Sequence, residues 1–219
     1  VNLINGGAET VNQLLSHDDV DAVSFVGSTP VAKHIYESGT AGGKRVQALG
    51  GAKNHMVVLP DADIDLAADS AVSAAYGSAG ERCMAISVVV AVGEVAEPLV
   101  NAISDRIDNL KIGPGMQPDS EMGPLISEEH RSRVVNYINS GEAEGATVVC
   151  DGRIISPEQK GFYVGATLLD NVTTDMEVYR DEIFGPVLSV VRVQSFDDAL
   201  DVIAENQYGN GVAVFTRDG

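Results

Sequence analysis

Asp21-Ala22-Val23-Ser24-Phe25-Val26-Gly27-Ser28-Thr29-Pro30 reads as a strand that breaks at a glycine and passes directly into a helix. Pro30, with its fixed φ, suits the first turn of that helix, with Ser28 or Thr29 as its cap. The helix is predicted to run to about Ser38 and to stop at Gly39. Hydroxyl residues at a helix start behind a strand and a glycine can hold a phosphate, because free N–H groups and the helix dipole converge there. Taken alone, the segment reads first as an ordinary strand–helix turn with a good cap.

Outward from this unit, strand-like and helix-like patterns keep alternating, which predicts an α/β fold with substantial parallel pairing. Strands are expected at Arg45 to Ala48, His55 to Leu59, Ser87 to Val92, Ala146 to Cys150, Val187 to Val193 and Val212 to Thr216. Asp63 through Ala79 is alanine-rich and reads as a buried helix. Leu99, Val100, Ile103, Ile107 and Leu110 give Glu97 to Leu110 a helical spacing. Gly113 to Pro118 is a loop, with two prolines and two glycines. A helix follows from Ser127 to Glu144; Ser127 caps it, but His130 stands where a capping box wants Glu or Gln. Phe196 to Glu205 is the last helix. The internal boundary falls in Leu49-Gly50-Gly51-Ala52, dividing 1–51 from 52–219. Val1 opens in mid-pattern and Gly219 follows directly on a strand, so the chain is expected to be a fragment.

The 219 residues carry a net charge of −18, which speaks against nucleic acid, since a phosphate backbone needs a basic surface. No apolar run approaches the ~20 residues that span a bilayer. Two cysteines are too few for a disulfide scaffold at this length and point to a reducing, cytoplasmic setting. The four histidines are scattered, without metal-ligand spacing.

Cys83 lies in Gly77-Ser78-Ala79-Gly80-Glu81-Arg82-Cys83-Met84-Ala85, among small residues that let a carbonyl approach the sulfur. A thiol reacts as thiolate, and the adjacent Arg82 guanidinium favours that form. A buried structural cysteine is the plainer alternative. Cys150, by contrast, ends a strand-like run and reads as packing. Asp181-Glu182-Ile183-Phe184-Gly185-Pro186 places a carboxylate and an aromatic just ahead of a strand, where they can hold a ribose hydroxyl and pack a ring. In isolation it is a solvated acidic pair before a turn.

Together the three segments resemble the aldehyde dehydrogenase superfamily over essentially the whole chain. Phe25 to Thr29 looks like its phosphate-binding turn, Cys83 falls at its nucleophile, and Glu182 to Pro186 matches its cofactor-clasping motif. Gly51-Ala52-Lys53-Asn54-His55 and Gly80-Glu81-Arg82-Cys83-Met84-Ala85 resemble the coenzyme A-acylating methylmalonate-semialdehyde dehydrogenases within it, as does Tyr208-Gly209-Asn210-Gly211. The resemblance implies the remainder of a Rossmann-type NAD-binding domain in 1–51. In 52–219 it implies most of an α/β catalytic domain. It further implies NAD as cofactor, a semialdehyde and coenzyme A as substrates, a homo-oligomer (a tetramer at full length), and a place in valine catabolism. By the same resemblance Gly27 and Ser28 hold the pyrophosphate and Gly50 lies near the nicotinamide. Glu182 would hold the nicotinamide ribose, with Phe184 packing nearby, and Arg82 the substrate carboxylate. Lys53 reads as structural.

One departure is informative. Hydrolytic members carry a glutamate that activates water; by spacing to Cys83 that position is Leu49, and on the alternative alignment Ala48. Neither takes a proton. Water, with a pKa near ~15.7, needs a base, whereas a thiol near ~8.5 ionises readily. The pattern therefore fits an acyl-enzyme on Cys83 that leaves by transfer to another thiol. An ordinary non-acylating aldehyde dehydrogenase, or a binding domain without activity, is the alternative.

Overall fold

The computed structural model describes residues 1–154 and 160–219, which divide into two compact units, Val1–Gly51 and Ala52–Gly219.

Unit 1 contains α1 (Ala8–Ser16), β1 (Ala22–Val26), α2 (Thr29–Ala41) and β2 (Arg45–Leu49). The two strands pair in parallel from Ala22↔Arg45 to Val26↔Leu49. Lys44 Nζ donates to His17 O and Val20 O, both at 2.7 Å, fixing the chain entering β1. α2 does not stop at Gly39: it runs on to Ala41, and Gly42 is its cap. Gly39 is buried, and a β-carbon there would press on Val46 Cγ2 at 2.6 Å. That glycine lets helix and strand approach; it does not end the helix. α1 has no counterpart in the sequence expectations.

Unit 2 contains β3 (Asn54–Val58), α3 (Ile64–Tyr76), β4 (Ile86–Val92), α4 (Ala96–Ile107), α5 (Glu128–Glu144) and β5 (Thr147–Cys150). These are followed by β6 (Thr167–Asp170), α6 (Glu177–Arg180), β7 (Val187–Val193), α7 (Phe196–Glu205) and β8 (Val212–Phe215). Its strands form one sheet in the order β5-β6-β7-β4-β3-β8, parallel except for the antiparallel β5–β6 pair. The central strands are covered on both faces, so Val57, Val58, Val88, Val89 and Val90 are fully buried. Each such valine contributes ~1.5–3 kcal/mol relative to an exposed one.

α3 lies close to the sheet because its inner face is alanine: Ala67, Ala68, Ala71 and Ala75 are buried. Asp63 caps it, accepting from Leu66 N–H at 3.1 Å. The helix ends at Tyr76, three residues before the expected Ala79, and a 3₁₀ turn follows at Gly77–Gly80. Ser78 and Ala79 both sit at φ 53° and Gly80 at φ 71°, so consecutive left-handed residues reverse the chain. Likewise α4 ends at Ile107, short of the expected Leu110. Ser127 Oγ accepts from His130 N–H at 3.2 Å at the start of α5, and the His130 ring completes no capping box. The box instead occurs at α7, between Ser195 and Asp198.

Candidate active site

Cys83 is exposed at the tip of the segment joining α3 to β4. Its position is set by its backbone. Ala85 N–H donates to Arg82 O at 3.0 Å, closing a turn around Cys83 and Met84. The Cys83 carbonyl accepts from Asn54 Nδ2 at 2.9 Å and from Asn210 Nδ2 at 2.8 Å. Asn54 Nδ2 also donates to Ala85 O at 2.8 Å. Both amide hydrogens are thus used, and a flipped amide would face two carbonyls with its oxygen, so this orientation follows from the network. Asn54 Oδ1 is buried and has no partner among the described residues. The Cys83 N–H likewise engages no acceptor among them, which leaves it available to a developing oxyanion.

The loop before Cys83 rests on the Glu182–Pro186 segment. A β-carbon on Gly80 would come 2.6 Å from Gly185 C, so this approach of two backbones requires glycine. Through it, Arg82, Cys83, Glu182 and Phe184 come to line one narrow cleft together with Lys53 and Asn54. The remaining expected site residues, Gly27, Ser28 and Gly50, belong to unit 1. There Ser28 is the extended residue at the start of α2, and its hydroxyl makes no capping bond. Thr29 Oγ1 instead accepts from Gly51 N–H at 3.0 Å. A β-carbon on Gly50 would lie 3.3 Å from Thr29 Cα. Leu49 is half exposed at the end of β2.

The Arg82 guanidinium donates from Nη2 to Ser73 O in α3 at 2.9 Å.

Three further residues organise the cleft. Lys53 is buried, and its Nζ donates to Val178 O at 2.7 Å and Asp181 O at 2.6 Å. Burial pulls its pKa down to about 7, against the opposing pull of the Asp181 and Glu182 carboxylates. His55 reaches Tyr179 Oη at 3.2 Å, and burial brings its pKa down to about 4. His130 gives a third tie. Its Nε2 lies 2.6 Å from Phe184 O and 3.3 Å from Glu81 Oε1, while Arg133 Nη2 donates to its Nδ1 at 3.1 Å. A carbonyl accepts and a guanidinium donates, so the ring is the neutral Nε2–H tautomer. It fastens Phe184, held at φ 57°, beside the loop that carries Cys83.

Asn54 and Asn210 were present in the motifs that carry the family resemblance, but sequence reasoning gave neither a role. His130 was noted for a missing box and as one of four scattered histidines, without a role at the site.

The chain matches the aldehyde dehydrogenase family model over residues 1–219. It is 52% identical over 219 residues to a malonate-semialdehyde dehydrogenase of Halalkalibacterium halodurans, covering all of this chain and 45% of that protein. Against a protein of the same description from Pseudomonas aeruginosa it is 51% identical over 222 residues, again all of this chain and 45% of the relative. The chain therefore spans about half the length of the curated relatives it matches. The crystal structure of methylmalonate-semialdehyde dehydrogenase (DddC) from Oceanimonas doudoroffii superposes with a TM-score of 0.96 at 52% identity, over 99% of this chain and 45% of that one. A putative methylmalonate-semialdehyde dehydrogenase from Sinorhizobium meliloti, complexed with NAD, gives 0.96 at 48% identity over the same shares of the two chains. With an exposed, backbone-pinned cysteine, the motifs around it and a match along its whole length, this chain belongs to the aldehyde dehydrogenase family.

Proposed function

We propose that the chain forms part of an NAD-dependent, coenzyme A-acylating oxidoreductase that converts malonate or methylmalonate semialdehyde to acetyl- or propionyl-coenzyme A with loss of carbon dioxide. The observation that carries this reading is an exposed Cys83 whose carbonyl is tied by two asparagines, in a chain that bears leucine at the family's water-activating position. The semialdehyde dehydrogenases at about half identity support the substrate class.

The Cys83 thiolate attacks the aldehyde carbon, and the resulting oxyanion faces the Cys83 N–H. NAD, when bound, supplies the acceptor for the hydride leaving that carbon. Gly27, Ser28 and Gly50 in unit 1 are assigned to it, with Glu182 for its ribose and Phe184 beside its ring. The uncapped Ser28 at the start of α2, and an accessible carboxylate in the Cys83 cleft, fit such a group. The acyl group remains on Cys83 as a thioester, and Arg82 holds its carboxylate until that leaves as carbon dioxide and a proton replaces it. The coenzyme A thiolate then takes the acyl group and frees the Cys83 thiolate. A cytoplasmic homo-oligomer is part of the same reading.

The test is single-turnover mixing of the full-length enzyme with NAD and malonate semialdehyde while coenzyme A is withheld. The acyl group should stay on Cys83, and Leu49→Glu should release part of it as free acid at least ~tenfold faster, since it supplies the base that water needs. Rapid hydrolysis by the unaltered enzyme would point to the non-acylating alternative.

A further inference from the structure

We infer that Gly77 is a specificity-determining residue: it keeps clear the space in which the Arg82 guanidinium must lie for the site to prefer aldehydes bearing a carboxylate. The inference rests on the assignment of Arg82 to the substrate carboxylate.

Gly77 is the residue just past α3, at φ −54° and ψ 133°, a conformation open to any L-residue. Backbone geometry therefore gives no reason for glycine here. The side chain of Arg82 gives one. A β-carbon on Gly77 would overlap Nη2, and would lie 2.9 Å from Cζ and 3.3 Å from Nη1. The same guanidinium donates to Ser73 O, which also receives the Gly77 N–H. That carbonyl belongs to the last turn of α3, where the negative end of the helix dipole favours a cation. Gly77 and Ser73 O thus form a notch that fits one side of the guanidinium.

The rest of the fork stays free for a ligand. A guanidinium has five N–H donors, and among the described residues no carboxylate pairs with Arg82. Arg106 shows the contrast: it lines the cavity of about 720 Å³ along α3 and α4 that Ser73 and Gly77 also border, but Asp65 and Asp69 engage it. Arg82 is next to the nucleophile and lines its cleft. A substrate whose carboxylate lies a few bonds from its carbonyl therefore meets an unpaired fork while Cys83 meets its aldehyde carbon.

The three atoms nearest to such a methyl group all belong to the mobile end of Arg82, so Gly77→Ala should fold and displace the guanidinium. In the full-length enzyme, Gly77→Ala should raise KM for malonate semialdehyde ~tenfold with a smaller change in kcat, and lower the preference for malonate semialdehyde over propanal by a similar factor. Added to Arg82→Lys, whose compact ammonium does not fill the notch, it should cost little more. A second measurement needs no turnover: the ratio of Cys83 alkylation rates with iodoacetate and iodoacetamide, which differ in a carboxylate, should fall in Gly77→Ala. If Arg82→Leu lowers both ratios and Gly77→Ala neither, the inference is overturned and the role of Arg82 stands. If Arg82→Leu lowers neither, the carboxylate assignment itself falls and the inference with it.

Discussion

The two cysteines occupy opposite kinds of place. Cys150 ends β5, half-buried, with Sγ 3.2 Å from Ser104 Oγ, and burial pushes its thiol pKa up. Cys83 has an open side chain and a tethered backbone, the carbonyl gripped by side chains 29 and 127 residues away. In the first the fold packs a sulfur; in the second it aims one. On the proposed reading, reactivity follows from where restraint is applied. Tying the peptide group leaves the thiol accessible, whereas packing the side chain covers it.

The largest effect that would break this contrast comes from deleting each thiol. Cys83→Ala in the full-length enzyme should lower turnover by ~10³-fold or more, and Cys150→Ala should stay within ~2-fold. Iodoacetamide at neutral pH should label Cys83 first, as read by peptide mass mapping. Faster labelling at Cys150, or a larger loss on its removal, would reverse the assignment.

Next come the tethers. Asn54→Ala leaves the Cys83 and Ala85 carbonyls without a buried donor and should lower kcat by ~10–100-fold. Asn210→Ala, at an exposed position, should cost less, roughly 3–10-fold. If steady-state kinetics showed both variants unaffected, the aim of the thiol would have to come from the 3₁₀ turn alone.

The smallest effect concerns what lies under the cleft. Burial holds the folded Lys53 pKa at about 7, against the 10.5 of an ordinary lysine. Between those values the unfolded chain holds a proton that the folded one has released, so unfolding free energy should climb with pH across that window. Lys53→Met should flatten the climb in thermal melts taken from pH 7 to pH 10. A slope left intact in the variant would show that other groups set it.

Much of this arrangement is legible in the residues. Strands such as Val187–Val193 are long, apolar and β-branched, and the helix from Glu128 declares itself by its cap. Thr167–Asp170 was missed because four fully buried residues, two of them leucine, give neither alternation nor length. Gly39 misled because glycine marks a helix end and a close approach with the same letter. At the site, the exposed cysteine and its motif neighbours are readable, while the grip of Asn210 on Cys83 is not. It exists only because β8 pairs with β3, and β3 with β4, and that adjacency is a property of the sheet order.

That sheet order also has a consequence during synthesis. β3, α3 and β4 are complete early, but the donor from Asn210 arrives 127 residues after the cysteine it holds. At ~5–20 residues per second, translation takes roughly 6–25 s to cover that distance. For that time a nascent chain carries the thiol with at most one of its two anchors, and its exposure to electrophiles and oxidants is set by the pace of the ribosome.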